Sequence, residues 1–159
     1  MAHFTVVQDV NAPATAAWQV LVDWPRHGDW VPLTTVRILS PQPDGVGARF
    51  VARTGIGPLG FADPMTVTAW QVPSGDDPGA APGRCEVVKS GRVVHGRALF
   101  TVTALPSRRC RVEWTEEVTV SPRRLTRYAQ PVIALAGRFA FTATMRAFAR
   151  DVERTTASG

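Results

Sequence analysis

Glu116 is the residue whose position most calls for a chemical explanation. It lies in a run, Arg109–Val120, where Val112, Trp114, Val118 and Val120 share its face while Arg111, Glu113, Thr115, Glu117 and Thr119 take the other. Period-two alternation of this kind turns the apolar face of a strand inward, so Glu116 is expected on the buried side. A buried, unpaired carboxylate costs several kcal/mol or takes up a proton. Two roles are open to it: pairing with an arginine or with solvent at a strand end, or orienting a ligand hydroxyl and acting as a general base. Tyr128, the one tyrosine, falls on an apolar helical face, with its hydroxyl either a second proton-transfer group or the polar tip of a packed ring.

The remaining reactive residue types point away from familiar catalytic sets. His3, His27 and His95 are scattered, with no HExxH or HxxxH spacing, so no metal is expected. Cys85 and Cys110 lack CxxC spacing and read as small core side chains. Gly45 and Gly47 lie between two strands, where a hairpin uses them; a phosphate loop would lead from strand into helix. No GxSxG elbow and no Cys/His nucleophile pair occurs. No cofactor is expected.

The elements that must position these residues follow from periodicity. His3–Val10 alternates as a first strand. Asn11-Ala12-Pro13 breaks it and can cap a helix, and Ala14, Ala17, Trp18 and Leu21 fall at helical spacing after it. Trp24–Trp30, punctuated by Pro25 and Gly28, makes a second short helix or turn. Strands are expected at 34–40, 48–54, 65–72, 84–89, 92–104 and 109–120. Their short connections demand antiparallel pairing. Pro73–Gly83 is expected to be an exposed loop. A helix from Ser121 to about Arg154 carries two apolar stripes, Leu125, Tyr128, Val132, Leu135 and Phe139, then Phe141, Met145, Phe148 and Val152. The stripes lie on roughly opposite sides, and Pro131 and Gly137 precede the switch, so a kink or two helices in series is expected.

With 159 residues, 45% hydrophobic and 19% charged, the chain fits one ordered domain, 1–159. Its formal charge of +5 resides in the stretch from Ser121 onward, where seven arginines face Asp151 and Glu153. The rest is balanced, which argues against nucleic-acid binding in the absence of a recognisable module. Arg123, Arg124 and Arg127 beside the first stripe are compatible with peripheral membrane contact, and the stripe itself with a homodimer. No signal peptide and no 18-residue apolar run is found, so the expectation is a cytoplasmic protein with no integral membrane segment. Arginine supplies 17 of the 18 basic residues, a usage that suggests a GC-rich bacterial genome.

Val10-Asn11-Ala12-Pro13 with Trp18, the Trp24–Trp30 segment before Val31-Pro32, Asp44-Gly45-Val46-Gly47-Ala48-Arg49-Phe50, and Val112-Glu113-Trp114-Thr115-Glu116-Glu117 together resemble the START/Bet v 1-like (SRPBCC) superfamily, and within it the polyketide cyclase/dehydrase and lipid-transport-like bacterial proteins. The resemblance spans the chain and implies an α+β helix-grip fold. In that fold a curved antiparallel sheet of about six to seven strands wraps a long C-terminal helix, with two short helices after the first strand. It also implies a ligand cavity between sheet and helix, for which Trp30, Phe50, Ala52, Gly96, Ala98, Phe100, Trp114, Glu116, Tyr128 and Phe139 are the candidates. The expected partner is a small hydrophobic molecule, a lipid, isoprenoid or polyketide. The alternatives are an aromatase/cyclase using Glu116 or Tyr128 in the same cavity, and an interaction module working through the basic helix.

Overall fold

Seven alternating segments become seven strands: β1 (Ala2–Val10), β2 (Thr34–Ile38), β3 (Arg49–Thr54), β4 (Phe61–Gln71), β5 (Gly83–Ser90), β6 (Val94–Leu105) and β7 (Arg109–Val120). The structure, a computed structural model, describes residues 1–121 and 130–158. All strands join one curved antiparallel sheet in the order β1-β7-β6-β5-β4-β3-β2. Short turns enforce the meander from β2 to β7, whereas β1 returns to pair with β7, so that Phe4 lies opposite Glu116. A bulge between Val67 and Ala69 interrupts the β4–β5 ladder and adds local bend to the sheet.

Helix α1 (Ala14–Leu21) buries Ala14, Ala17, Trp18 and Leu21, as the spacing requires. Its start departs from the expected Asn11 cap, because Pro13 occupies the capping position and contributes no side-chain bond. The cap comes instead from the Pro/Gly-rich loop, whose Asp76 Oδ1 accepts from the Thr15 backbone N–H and hydroxyl at 2.9 Å each. That loop is thereby tied down, and the Ser74 hydroxyl accepts from Ala81 N–H across it. A 3-10 turn (Trp24–Arg26) and α2 (His27–Trp30) follow.

The terminal helix, α3 (Gln130–Ala157), is one uninterrupted helix over its described length, so the expected division into two helices does not fall within it. Gly137 continues the helix and serves packing instead, since a Cβ there would press on the Phe4 ring. The two stripes separate as the spacing implied. Met145, Phe148 and Val152 are buried, while Val132, Leu135 and Phe139 face outward. Leu125, Tyr128, Arg123, Arg124 and Arg127 lie outside the described residues. A latch holds the C-terminal half of α3 against α2: Arg26 donates from Nε and Nη2 to the Asp151 carboxylate at 2.7 and 3.0 Å, and the Trp30 indole N–H donates to it at 3.0 Å.

Candidate functional site

Between the inner face of the sheet and the first half of α3 lies a cavity of about 290 Å³. Its volume stands at the small end of ligand pockets, about 300–1,000 Å³. Small side chains open the space: Ala52 on β3, Ala98 on β6 and Gly137 on α3 all border it. Aromatic rings close one side. Trp24 stacks on Phe50 at a centroid distance of 4.2 Å, and Phe100 meets Trp114 edge-on at 4.4 Å. Phe141 reaches down from α3 onto Trp114, 5.0 Å between centroids. A larger depression beside Asp29, Arg150 and Arg154 is a groove on the outside of the same helix.

The ionic groups of the cavity converge on one lysine, while two hydroxyls on the same wall, Thr34 and Thr54, bond to each other at 2.8 Å. Lys89 Nζ donates to Asp63 Oδ2 at 3.2 Å and to Glu116 Oε2 at 3.3 Å. Lys89 and Glu116 stand on β5 and β7, one strand apart, and meet across β6. They can do so because Gly96 is the β6 partner of Lys89 and Ala98 the partner of Glu116. The Trp114 indole N–H donates to Glu116 Oε1 at 2.8 Å, so both oxygens of that carboxylate are engaged. Asp63 is less complete: its Oδ1 is buried and without a hydrogen-bond partner.

Electrostatics bind the three into one proton-sharing unit. Burial pushes the Glu116 and Asp63 carboxyls above their usual range, while the Lys89 charge pulls both down without cancelling the effect. For Lys89 burial acts in the opposite sense, but the two carboxylates outweigh it and hold the ammonium charged. Two acids facing one base leave the cluster with an excess negative charge or a shared proton.

His27 is a further titratable residue at the wall. Its Nε2 lies 2.7 Å from the Leu21 carbonyl oxygen. A carbonyl only accepts, so Nε2 carries the proton and Nδ1 is an acceptor. Burial keeps the ring neutral, with a pKa lowered to about 4.

Of the residues expected to line the cavity, Phe50, Ala52, Ala98, Phe100, Trp114 and Glu116 do border it. Trp30 does not, because its indole turns toward Asp151 and packs on Phe148. Phe139 is 70% exposed, one helical step away from the inward face. Gly96 contributes backbone geometry in place of cavity wall: its φ is 145°, and a Cβ there would run into the Glu117 carbonyl oxygen. Tyr128 lies outside the described residues. Trp24, in the segment that carries the family resemblance, does border the cavity, whereas Lys89, Asp63 and His27 were not singled out from sequence. Lys89 carried a signal, being the one lysine in the chain. Asp63 carried none, since the Asp63-Pro64 pair looks like a turn and not like the middle of β4. Among the described residues, no group of three or more His, Cys, Asp or Glu is placed to hold a metal, and no helix is long and apolar enough to cross a membrane.

An open antiparallel sheet with a long terminal helix laid over an internal cavity defines the helix-grip, START-like class. Within it, residues 1–155 match the family described as polyketide cyclase / dehydrase and lipid transport, and the chain belongs to that family. Its architecture is similar to the Zhui aromatase/cyclase of Streptomyces sp. R1128, with 18% identity, 99% of this chain and 97% of that one covered, and a TM-score of 0.71. It is similar also to a START superfamily protein of Mycobacterium smegmatis, at 15% identity, 98% and 100% coverage, and a TM-score of 0.74. A Thermobifida fusca protein shares 22% identity over 94% of this chain and 95% of its own, with a TM-score of 0.60. No functionally curated protein matches the chain.

Proposed function

We propose that this domain binds and carries a small hydrophobic molecule in the cavity beneath α3. One observation carries the reading: a space of about 290 Å³ between sheet and helix whose walls are mostly aromatic and aliphatic, with its charged groups gathered in one cluster. Apolar walls supply affinity, and a small convergent polar set supplies orientation. The family description, which includes lipid transport, agrees with it. Native mass spectrometry of the protein as purified, followed by organic extraction, tests it. A co-purifying apolar molecule, or saturable uptake of an added one, is the expected result. A protein that takes up no apolar probe of any size would refute it.

A second reading, cyclase-type catalysis, draws on a different observation. Glu116 and Asp63 face one ammonium beneath a ring-lined cavity and burial raises both carboxyls, an arrangement able to hold a proton on a carboxyl and pass it to a bound carbonyl compound. The family description and the Zhui aromatase/cyclase are in keeping with it. Turnover of a poly-β-ketone thioester, abolished by Glu116→Gln, would support this reading. A rate unchanged in Glu116→Gln and in Tyr128→Phe would remove both residues from the mechanism.

A further inference from the structure

The polar cluster also discriminates among apolar ligands, and this rests on the binding reading above. Lys89 Nζ has three hydrogens, and two are spent on Asp63 and Glu116. Glu116 has both oxygens occupied, by Lys89 and Trp114. Asp63, only 7% exposed, keeps Oδ1 unpartnered, and it borders the cavity together with Lys89 and Glu116. The cluster therefore holds one spare donor and one spare acceptor, both largely buried at the cavity wall. Leaving a buried carboxylate oxygen without a partner is costly, and the carboxyl can swing about its soft terminal torsion to meet one.

We infer that the cavity selects a neutral molecule of one or two rings bearing a hydroxyl, which donates to Asp63 and accepts from Lys89. A hydroxyl is the small group that does both at once. A ketone would accept and leave Asp63 unsatisfied. A carboxylate would find an ammonium already matched by two acids, and would bring a further negative charge into a desolvated site that already holds both. The lysine thus repels anions through its partners, although alone it would attract them. Neighbouring His27 does not reverse this sign, because its ring is neutral. Fatty-acid-like ligands are excluded, and phenols, enols and cyclic alcohols are admitted.

Three isosteric probes test the inference on the full chain: naphthalene, 2-naphthol and 2-naphthoate, titrated calorimetrically at neutral pH. The expected order is 2-naphthol tighter than naphthalene by about tenfold or more, the typical effect of a hydrogen bond to a charged group, and 2-naphthoate weakest. In Asp63→Leu the preference for 2-naphthol over naphthalene, measured as the ratio of the two affinities, should shrink to less than about threefold. Equal affinities of naphthalene and 2-naphthol, or tightest binding of 2-naphthoate, overturn the inference while the cavity reading stands. Failure of all three to bind overturns the inference, while the cavity reading is decided by the extraction and uptake experiment above. Because the wild-type comparison needs no variant, the test survives a failure of Asp63→Leu to fold.

Discussion

At the residue scale, the fold buries three ionisable side chains where an apolar cluster would cost less. Removing one partner of such a group is expensive, since it strands the others. Lys89→Met leaves Asp63 and Glu116 facing one another unpaired, and should cost about 3–5 kcal/mol in denaturant unfolding at neutral pH. That loss should shrink in acid, where both carboxyls protonate. His27 gives a second pH signature of opposite sign. Its folded pKa of about 4 lies below the ordinary 6.5, so the unfolded chain binds the extra proton. The contribution is complete above about 6.5 and is lost as pH falls toward 4. Folded Asp63 and Glu116, with raised pKa values, hold protons that the unfolded chain releases, and they favour the fold as pH falls. A difference experiment separates the two: between pH 6.5 and 4, wild type should lose about 3 kcal/mol more stability than His27→Gln. Equal slopes would show that His27 is not desolvated.

The element scale shows why the site was only partly readable beforehand. Strand alternation made Glu116, Phe100 and Trp114 legible as inward, because a two-residue period leaves no other choice of face. The same logic placed Ala52 and Ala98. It failed for Asp63, since a strand that contains proline is discounted by propensity, although tertiary pairing carried β4 from Phe61 through Pro64. It also failed for Trp30 and Phe139. Their types suit a cavity, but the twist of a short helix and the phase of α3 decide where their rings point, and neither is fixed by composition. Gly96 was read as space and is in fact a backbone requirement. At φ 145° a side chain is strained, and its Cβ would strike β7. Gly96→Ala should therefore cost at least about 3 kcal/mol, read as a lowered melting midpoint. The latch at the other end of α3 yields a milder expectation. Burial raises the Asp151 carboxyl, but hydrogen bonds from Arg26 and Trp30 hold it below its usual range. Asp151→Ala should cost about 2 kcal/mol by removing charge-assisted hydrogen bonds, and hydrogen exchange should rise chiefly in the C-terminal half of α3.

For the whole molecule, the sheet and α3 form a frame with a hole left in it. Natural cores rarely keep voids larger than a water, so a cavity of about 290 Å³ under a helix whose other half packs tightly separates two tasks along one element. The half carrying Met145, Phe148 and Val152 contributes stability, and the half carrying Gly137 and Phe141 roofs the space. Filling the space should dissociate the tasks. Ala98→Leu places three more carbons into the cavity, and should weaken binding of any apolar probe at least about tenfold while leaving the melting midpoint unchanged or higher. A parallel fall in stability would mean that the volume is needed for packing and not for a guest. The overall architecture was legible from element order alone. The depth of the cavity was not, because it depends on how closely α3 approaches the sheet, and that approach is set by the contact of Gly137 with Phe4.

The solitary lysine has one more consequence. Every other basic side chain is arginine, so the folded protein offers amine-selective reagents its chain terminus but no accessible ε-amine. Lys89 is 10% exposed at its side chain and ion-paired. Acylation at Lys89 should therefore be slow, and on the carrier reading proposed above its rate reports access to the cavity. A bound guest should slow that reaction further, giving a covalent readout of occupancy from a residue that needs no engineering.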